Sequence, residues 1–557
     1  MAANKRKEDM HSFERQVYDY ASRWARSVNR RDLLKGVGAA GAAGAAAVAA
    51  PSGLLAAPAG RSLFRHSTQD GGTTLRIARG QVSDTLDPQK TSGLLVAHEV
   101  MWQIYDSLIY LHEDGTVHPG LATEWDIAED GLSVTYTLRP DVLFHDGTTF
   151  NAQAVADTVA RHMNPDIASP TVSYLGPLTE VQVVDDLTAT YVYSEPFVPM
   201  FVGLGYSYCA PISVAAADAA GDGYGRSPVG TGPYKFVDWT ADDTIILEKN
   251  PEHTWSTTFY VTQQEPQIDR VEFVVIPEDA TRLAALIAGE VDVIAGTDAV
   301  PSDKIRSLET ESGITVYTRP AVGVYYAYFN QAIEPLNDVR VRRAIQHAVD
   351  LEAIVELVLD GQGAPATSAL ASAFGDYKDD LPQYPYDPEV AASLLEEAGY
   401  ADGFDLTYLN IASPVFQRVA EVIQENLAAV NINLAVESYP VGELIPKGAS
   451  GEYGMTFFYY TYSDPDILHL ILRTGQPFAW CDHEDDEFDG WLDQQRATFD
   501  PAARTELLHQ AQQRINEEAY VLMLWEGVYA AAMQEAVQGL EIDLVGFIHL
   551  QEMSVSS

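Results

Sequence analysis

The most constraining feature of this chain is a change of hydrophobic period between residues 406 and 437. Residues 406–411 read as an apolar strand, 416–430 as an amphipathic helix and 433–437 as a second strand. Strand, helix and strand joined by short connections form a βαβ unit, which imposes a parallel pair with a right-handed crossover. The stretch before it follows the same rules. Asp338 can cap a helix whose apolar face is Val341, Ala344, Ile345 and Ala348, at i, i+3, i+4, i+7 spacing. Asp350 can cap the next, which carries Ile354, Val355 and Val358 before Gly361 stops it. Asp387-Pro388 puts a cap and a first-turn proline ahead of Ala391, Leu394, Leu395 and Ala398, with Gly399 just past the end. Nearer the start, 74–78 reads as a strand, and 133–139 alternates Val134, Tyr136 and Leu138 with polar residues. Residues 181–193 read as a hairpin turning at Asp185-Asp186. The class is mixed α/β, and these apolar stripes are core rather than ligand surface.

The chain has 557 residues, too many for one compact core, with 46% hydrophobic and 10% aromatic residues, enough to bury a large interior. Its formal charge is -46. Residues 1–60 hold nine Lys/Arg against five Asp/Glu, so residues 61–557 carry about -50. A surface that negative repels phosphate backbones and anionic headgroups, which argues against nucleic acid and membrane-surface partners. Most of the acidity reads as a solvated shell of carboxylates.

The first 72 residues read as an address. Asn29-Arg30-Arg31-Asp32-Leu33-Leu34-Lys35 resembles a twin-arginine export signal, an Ala/Gly-rich apolar stretch follows, and Ala57-Pro58-Ala59 fits a small-residue cleavage site. The expectation is a signal over 1–60, a linker over 61–72 and a protein working in the periplasm or outside the cell. The competing reading of the apolar stretch is a membrane anchor. No Cys stands near the cleavage point, so a lipoprotein is not expected. Cys209 and Cys481 are the only cysteines, and nothing in their spacing suggests a disulfide.

Several blocks, taken in order, resemble one family. They are Leu121-Ala122-Thr123-Glu124-Trp125 with Asp130-Gly131 and Phe144-His145-Asp146-Gly147-Thr148, then Gly230-Thr231-Gly232-Pro233-Tyr234 with Leu247-Glu248-Lys249-Asn250-Pro251. Leu286-Ile287-Ala288-Gly289-Glu290-Val291-Asp292, Tyr328-Phe329-Asn330 and Asp338-Val339-Arg340-Val341-Arg342-Arg343-Ala344 complete the set. The chain is similar, over residues 73 to 545, to the extracytoplasmic solute-binding proteins of the dipeptide, oligopeptide and nickel importers. Residue chemistry within the blocks is mostly structural. Asp130-Gly131 and Asp146-Gly147 are turns, and Gly230-Thr231-Gly232-Pro233 suits a tight bend, without the context of a phosphate loop. Arg342 and Arg343 read as surface or interlobe pairing residues.

The resemblance implies a periplasmic-binding-protein-like type II fold: two lobes around a ligand cleft, with an extra subdomain in the first lobe. The first lobe would take 73–110, 229–316 and 528–557, its extra subdomain 111–228 and the second lobe 317–527. It implies a monomer that captures a small-molecule ligand by hinge closure and hands it to ABC permease subunits. The ligand would be peptide-like, with an oligosaccharide or a nickel complex as lesser options. No cofactor, no resident metal and no catalysis are expected. The alternative is a secreted hydrolase acting on peptides or glycosides in the same cleft.

For the cleft itself the resemblance points to Thr91 and Ser92 in a turn, Tyr326 and Asn330 on a strand entering the second lobe, and Arg418. An arginine there would suit a peptide carboxylate, which its planar fork holds bidentately. It also points to Tyr460, Thr461, Tyr462 and Asp464, in the aromatic segment 457–466. Dipeptide binders place an aspartate at the position aligned with Thr461. Either Asp464 substitutes for it or this protein does not read a free amine. The run Trp480-Cys481-Asp482-His483-Glu484-Asp485-Asp486 mixes thiol, imidazole and carboxylates, and reads as a surface loop rather than a metal site.

Overall fold

A computed structural model describes residues 72–112, 115–240, 243–261, 265–296, 299–543 and 545–556; the export signal expected at 1–60 lies outside them. The βαβ unit forms as Phe404–Ile411, Pro414–Ala428 and Ile432–Tyr439, with the strands parallel from Phe404 opposite Ile432 to Ile411 opposite Tyr439. The helix presses Val419, Ala420, Ile423 and Leu427 onto the sheet. Asp338, Asp350 and Asp387 each accept backbone N–H bonds at the start of a helix, from Arg340, from Ala353, and from Glu389 and Val390. Gly399 ends its helix in the left-handed region at φ +91°.

These strands belong to an eleven-stranded sheet that runs through the molecule. One wing is Ile432–Tyr439, Phe404–Ile411 and Met455–Tyr459; the other is Val293–Ile294, Thr74–Arg79, Arg270–Val275, Ile245–Lys249 and Tyr234–Trp239. Two long antiparallel strands, Ile314–Phe329 and Val521–Gln534, lie between the wings and belong to both. Their register breaks twice: between Tyr325 and Tyr326, whose partners Trp525 and Met523 skip Leu524, and more widely just before. Pro320 faces Val528 and Val324 faces Glu526, so Ala321, Val322 and Gly323 stand opposite the single residue Gly527. A bulge of this kind bends the ribbon and removes ladder bonds where the wings meet.

A separate four-stranded antiparallel sheet, Ala122–Ile127, Ser133–Leu138, Thr188–Tyr193 and Leu178–Asp185, has its own apolar core around Val134, Tyr136, Phe150 and Tyr191. The expected hairpin and the alternating strand are both in it. The chain leaves this unit through Gly230-Thr231-Gly232, whose glycines are needed for closeness. A Cβ on Gly230 would stand 2.1 Å from the Ile104 carbonyl oxygen, and Gly232 N–H donates to that oxygen at 2.9 Å.

Two expectations are corrected. Arg342 is buried, not on the surface. Its guanidinium donates to the carbonyls of Glu518 and Ala519, satisfying orphan acceptors at the C-terminus of helix Pro501–Glu518, and to that of Leu336 ahead of its own helix. Residues 480–483 are likewise no surface loop, for Trp480, Cys481 and His483 are buried. Cys481 Sγ donates to the Tyr520 carbonyl, His483 Nε2 bonds the Leu472 carbonyl, and the His483 ring stacks on Tyr520 at 4.7 Å. Both cysteines are buried and free.

Candidate ligand cavity between the wings

A cavity of about 290 Å³ opens beside the wider register break, and its walls come from distant parts of the chain. Helix Leu94–Ile104 brings Trp102, and the loop after Trp255 brings Phe259 and Tyr260. Helix Met200–Gly205 runs directly into Tyr206. The first crossing strand contributes Arg319, one residue before the bulge, and the second wing contributes Ser463. The C-terminal segment closes the far side with Glu541, Asp543, His549 and Glu552.

The side chains are held firmly. Trp102 Nε1 donates to the Tyr260 hydroxyl at 3.1 Å, and Phe259 lies nearly parallel to His549, with centroids 5.1 Å apart. Tyr260 meets His549 edge-on at 5.5 Å, and Trp102 is 5.8 Å from it. Asp543 Oδ1 accepts from the backbone N–H groups of Val545 and Phe547, which fixes the turn that presents His549. Arg319 donates to the Ile542 carbonyl, tying this segment to the crossing strand. Behind the wall His98 is fully buried, bonded through Nδ1 to Ser207 and ringed by Trp102, Tyr206, Tyr208 and Phe547. Burial pushes its pKa down to about 3, so this ring is neutral.

The segment that follows the four-stranded sheet also touches the region beyond strand Met455–Tyr459 directly. The Tyr206 hydroxyl and Ser463 Oγ share a 2.8 Å hydrogen bond. Val198 N–H donates to the Arg496 carbonyl at 2.7 Å, and the Arg496 guanidinium sits 5.0 Å over the Phe197 ring. The first of these contacts holds the 460–463 segment against the end of helix Met200–Gly205.

None of the nine candidates named from the sequence lines this cavity, although Ser463 falls inside the run they marked. Thr91 and Ser92 form a turn around Asp84, with hydroxyl bonds of 2.6 and 2.9 Å to its carboxylate. Tyr326 is buried, its hydroxyl spent on the Ala369 carbonyl. Asn330 is buried too, bonded to the Gly451 and Tyr453 carbonyls and to Ala332 N–H. Arg418 is exposed on its helix. Tyr460, Thr461 and Tyr462 do come together at the wing junction, where Thr461 Oγ1 lies against Gly323 of the bulge. The amine-binding role considered for Asp464 does not fit its surroundings. Arg504 grips its carboxylate with both terminal nitrogens, one at 2.9 Å, and Asp464 Oδ1 also accepts from Asp466 N–H.

Sequence reasoning passed over Trp102, Tyr206, Phe259, Tyr260, Arg319, Asp543 and His549. The one local signal was the density of rings in a polar loop, with His253, Trp255, Phe259 and Tyr260 inside eight residues.

Against known proteins, residues 116–477 match the family model described as bacterial extracellular solute-binding proteins, family 5 middle. The chain belongs to this family. The dipeptide-binding protein of Escherichia coli K12 is 30% identical over 475 residues, covering 79% of this chain and 86% of that one. Heme-binding protein A of Haemophilus influenzae is 28% identical, covering 78% and 84%. Among solved structures, HbpA2 from Haemophilus parasuis superposes with a TM-score of 0.77 at 25% identity, covering 87% of this chain and all of that one. DppA from Helicobacter pylori, solved with the peptide STSA, gives 0.70 at 25% identity over 87% and 98%. The fold is therefore that of the family 5 periplasmic binding proteins, and the chain is a substrate-binding protein of the ABC-importer class. The hydrolase alternative finds no support among these relatives. Among the described residues no helix is long and apolar enough to cross a membrane.

Proposed function

We propose that this family 5 protein captures a peptide-like or similar small organic solute outside the cytoplasm, closes over it and passes it unaltered to an ABC permease. It acts as a monomer, reaches its place by twin-arginine export and performs no catalysis. The observation that carries this reading is the cavity beside the bulge, walled on one side by Trp102, Tyr206, Phe259 and His549 and on the other by Ser463. A solute there touches both wings, and only such differential contact can favour the closed form. The hinge of this proposal lies at Ala321–Gly323 against Gly527. It falls close to lobe boundaries at 316/317 and 527/528, with 111–228 as the extra subdomain. Tyr460, Thr461 and Tyr462 would form the rim, and the exposed Ser92 and Arg418 would meet any part of a solute that protrudes.

A thermal-shift and native mass spectrometry screen of dipeptides, oligopeptides and oligosaccharides tests this. A bound solute at 100 times its Kd raises stability by about 2.7 kcal/mol. It should bind one to one, shrink the scattering radius and be recovered chemically intact. Product accumulation, or binding without closure, would overturn the reading.

A further inference from the structure

The cavity has a chemical character of its own. Three carboxylate residues, Glu541, Asp543 and Glu552, stand on its lining against the single guanidinium of Arg319, which already donates to the Ile542 carbonyl. Beside them ring faces and edges from Trp102, Phe259 and Tyr260 pack around His549. The acids act on those rings. Burial raises the Tyr260 pKa, and the charges of Asp106, Glu552 and Asp543 raise it further.

His549 supplies a second, independent observation. It is buried, and its Nε2 makes no hydrogen bond among the described residues, lying 3.5 Å from Asp543 Oδ2. That carboxylate, beyond hydrogen-bond length, is what faces this buried nitrogen, so the His549–Asp543 pair leaves polar capacity unused beside the cavity. An anionic solute would meet a surplus of negative charge. A bare metal ion would lack donors, since no three His, Cys, Asp or Glu side chains of the described residues converge to hold one. A wholly apolar solute would leave the Asp543 carboxylate and the His549 nitrogen desolvated without compensation.

We infer that the cavity selects organic cations, a primary amine or quaternary ammonium on an apolar body, with the charge held by Asp543 and Glu552 against the rings of Trp102, Phe259 and Tyr260. This rests on the reading of the cavity as the solute site. Ring faces carry negative quadrupole charge and attract a cation that is only partly hydrated, most strongly where water is excluded. The volume, at about 30 Å³ for each water in the liquid, has room for roughly ten non-hydrogen atoms. The field of a chain whose residues 61–557 carry about -50 would gather such solutes to the mouth.

The test is calorimetry and native mass spectrometry on the full chain with four probes. Choline and phenethylammonium are the cations, 3,3-dimethylbutan-1-ol is the neutral isostere of choline, and 3-phenylpropionate is the anion. The cations should bind at least about tenfold more tightly than the alcohol, and the anion not at all. Glu552→Gln and Trp102→Leu should each weaken choline about tenfold. The wild-type comparison of choline with its isostere decides the matter even if a variant fails to fold. Equal binding of the two, preference for the anion, or choline affinity untouched in both folded variants would overturn the inference. A neutral or anionic peptide that binds and closes the protein would overturn it while leaving the import reading intact. Failure of every probe and every peptide to bind would overturn that reading as well.

Discussion

The hydroxyls of Tyr206 and Ser463, 257 residues apart in the chain, meet at 2.8 Å on the wall of the cavity. On the proposed closure this bond is made only in the closed form, so its loss falls on that form alone. Tyr206→Phe keeps the ring that packs against His98 and Tyr208. It should weaken solute binding by about 1 kcal/mol, roughly fivefold, with little change in the midpoint of thermal unfolding. Titration calorimetry paired with small-angle scattering checks this. Unchanged affinity and unchanged radius would mean the bond plays no part in closure.

Asp464 and Arg504 make a buried ion pair beneath the 460–463 segment, with Asp466 held beside it by Arg496 and Gln495. Asp464→Asn leaves the Arg504 charge buried with a neutral partner. Breaking such a pair from one side costs about 3–5 kcal/mol. Urea unfolding should therefore show a large loss of stability, while the folded fraction binds solute with near-normal affinity because this carboxylate does not reach the cavity. A variant of normal stability that no longer binds would restore Asp464 to the ligand site.

Local patterns in the sequence were read well because they are decided locally. The caps at Asp338, Asp350 and Asp387 and the strands and helix between 404 and 439 depend on neighbours a few residues away, and all of them form. Arg342 and the 480–483 run were misread because their surroundings arrive from 176 and 39 residues further on, at Glu518 and Tyr520. The cavity was illegible for the same reason. Trp102, Phe259, Arg319, Ser463 and His549 lie on segments with no shared pattern, and only the completed sheet brings them to one place.

Two glycines in the family blocks do different work, and alanine separates them. Gly147 has φ +82° with open space where a Cβ would go, so Gly147→Ala should cost only the left-handed penalty of about 1–2 kcal/mol. Gly230 has an ordinary φ, but its Cβ would stand 2.1 Å from the Ile104 carbonyl oxygen and 2.6 Å from the Tyr105 ring. Backbone cannot step aside as a flexible side chain does, so Gly230→Ala should cost at least the upper part of the about 1–3 kcal/mol typical of overpacking. Differential scanning calorimetry of the pair would show it; equal losses would contradict the distinction.

Buried histidines should make this protein sensitive to mild acid. Burial lowers the pKa of His98, His162 and His469 to about 3 each and that of His145 to about 4. For His469 burial outweighs Asp493, 3.2 Å away. An unfolded chain takes up a proton at each ring as pH falls through about 6.5, whereas the folded chain refuses it, so stability is present above that pH and drains away below it. Each ring contributes up to about 1.4 kcal/mol per pH unit, and four together up to about 5.5 per pH unit, between pH 5.5 and 4. Asp466 works in the opposite direction. Burial raises its pKa to about 6, so between about 6 and 4 the folded state holds a proton that the unfolded state gives up, and this offsets one of the four rings. The net expectation is a steep fall in the urea midpoint from pH 6 to pH 4.5, after a nearly level stretch from 7.5 to 6.5. His162→Gln can keep the bond to Thr171 Oγ1 while removing one titrating group, and should flatten the net slope by about a third. A midpoint that stays constant down to pH 4.5 would show that these rings are protonated without unfolding, and that the interior around them is wetter than this packing allows.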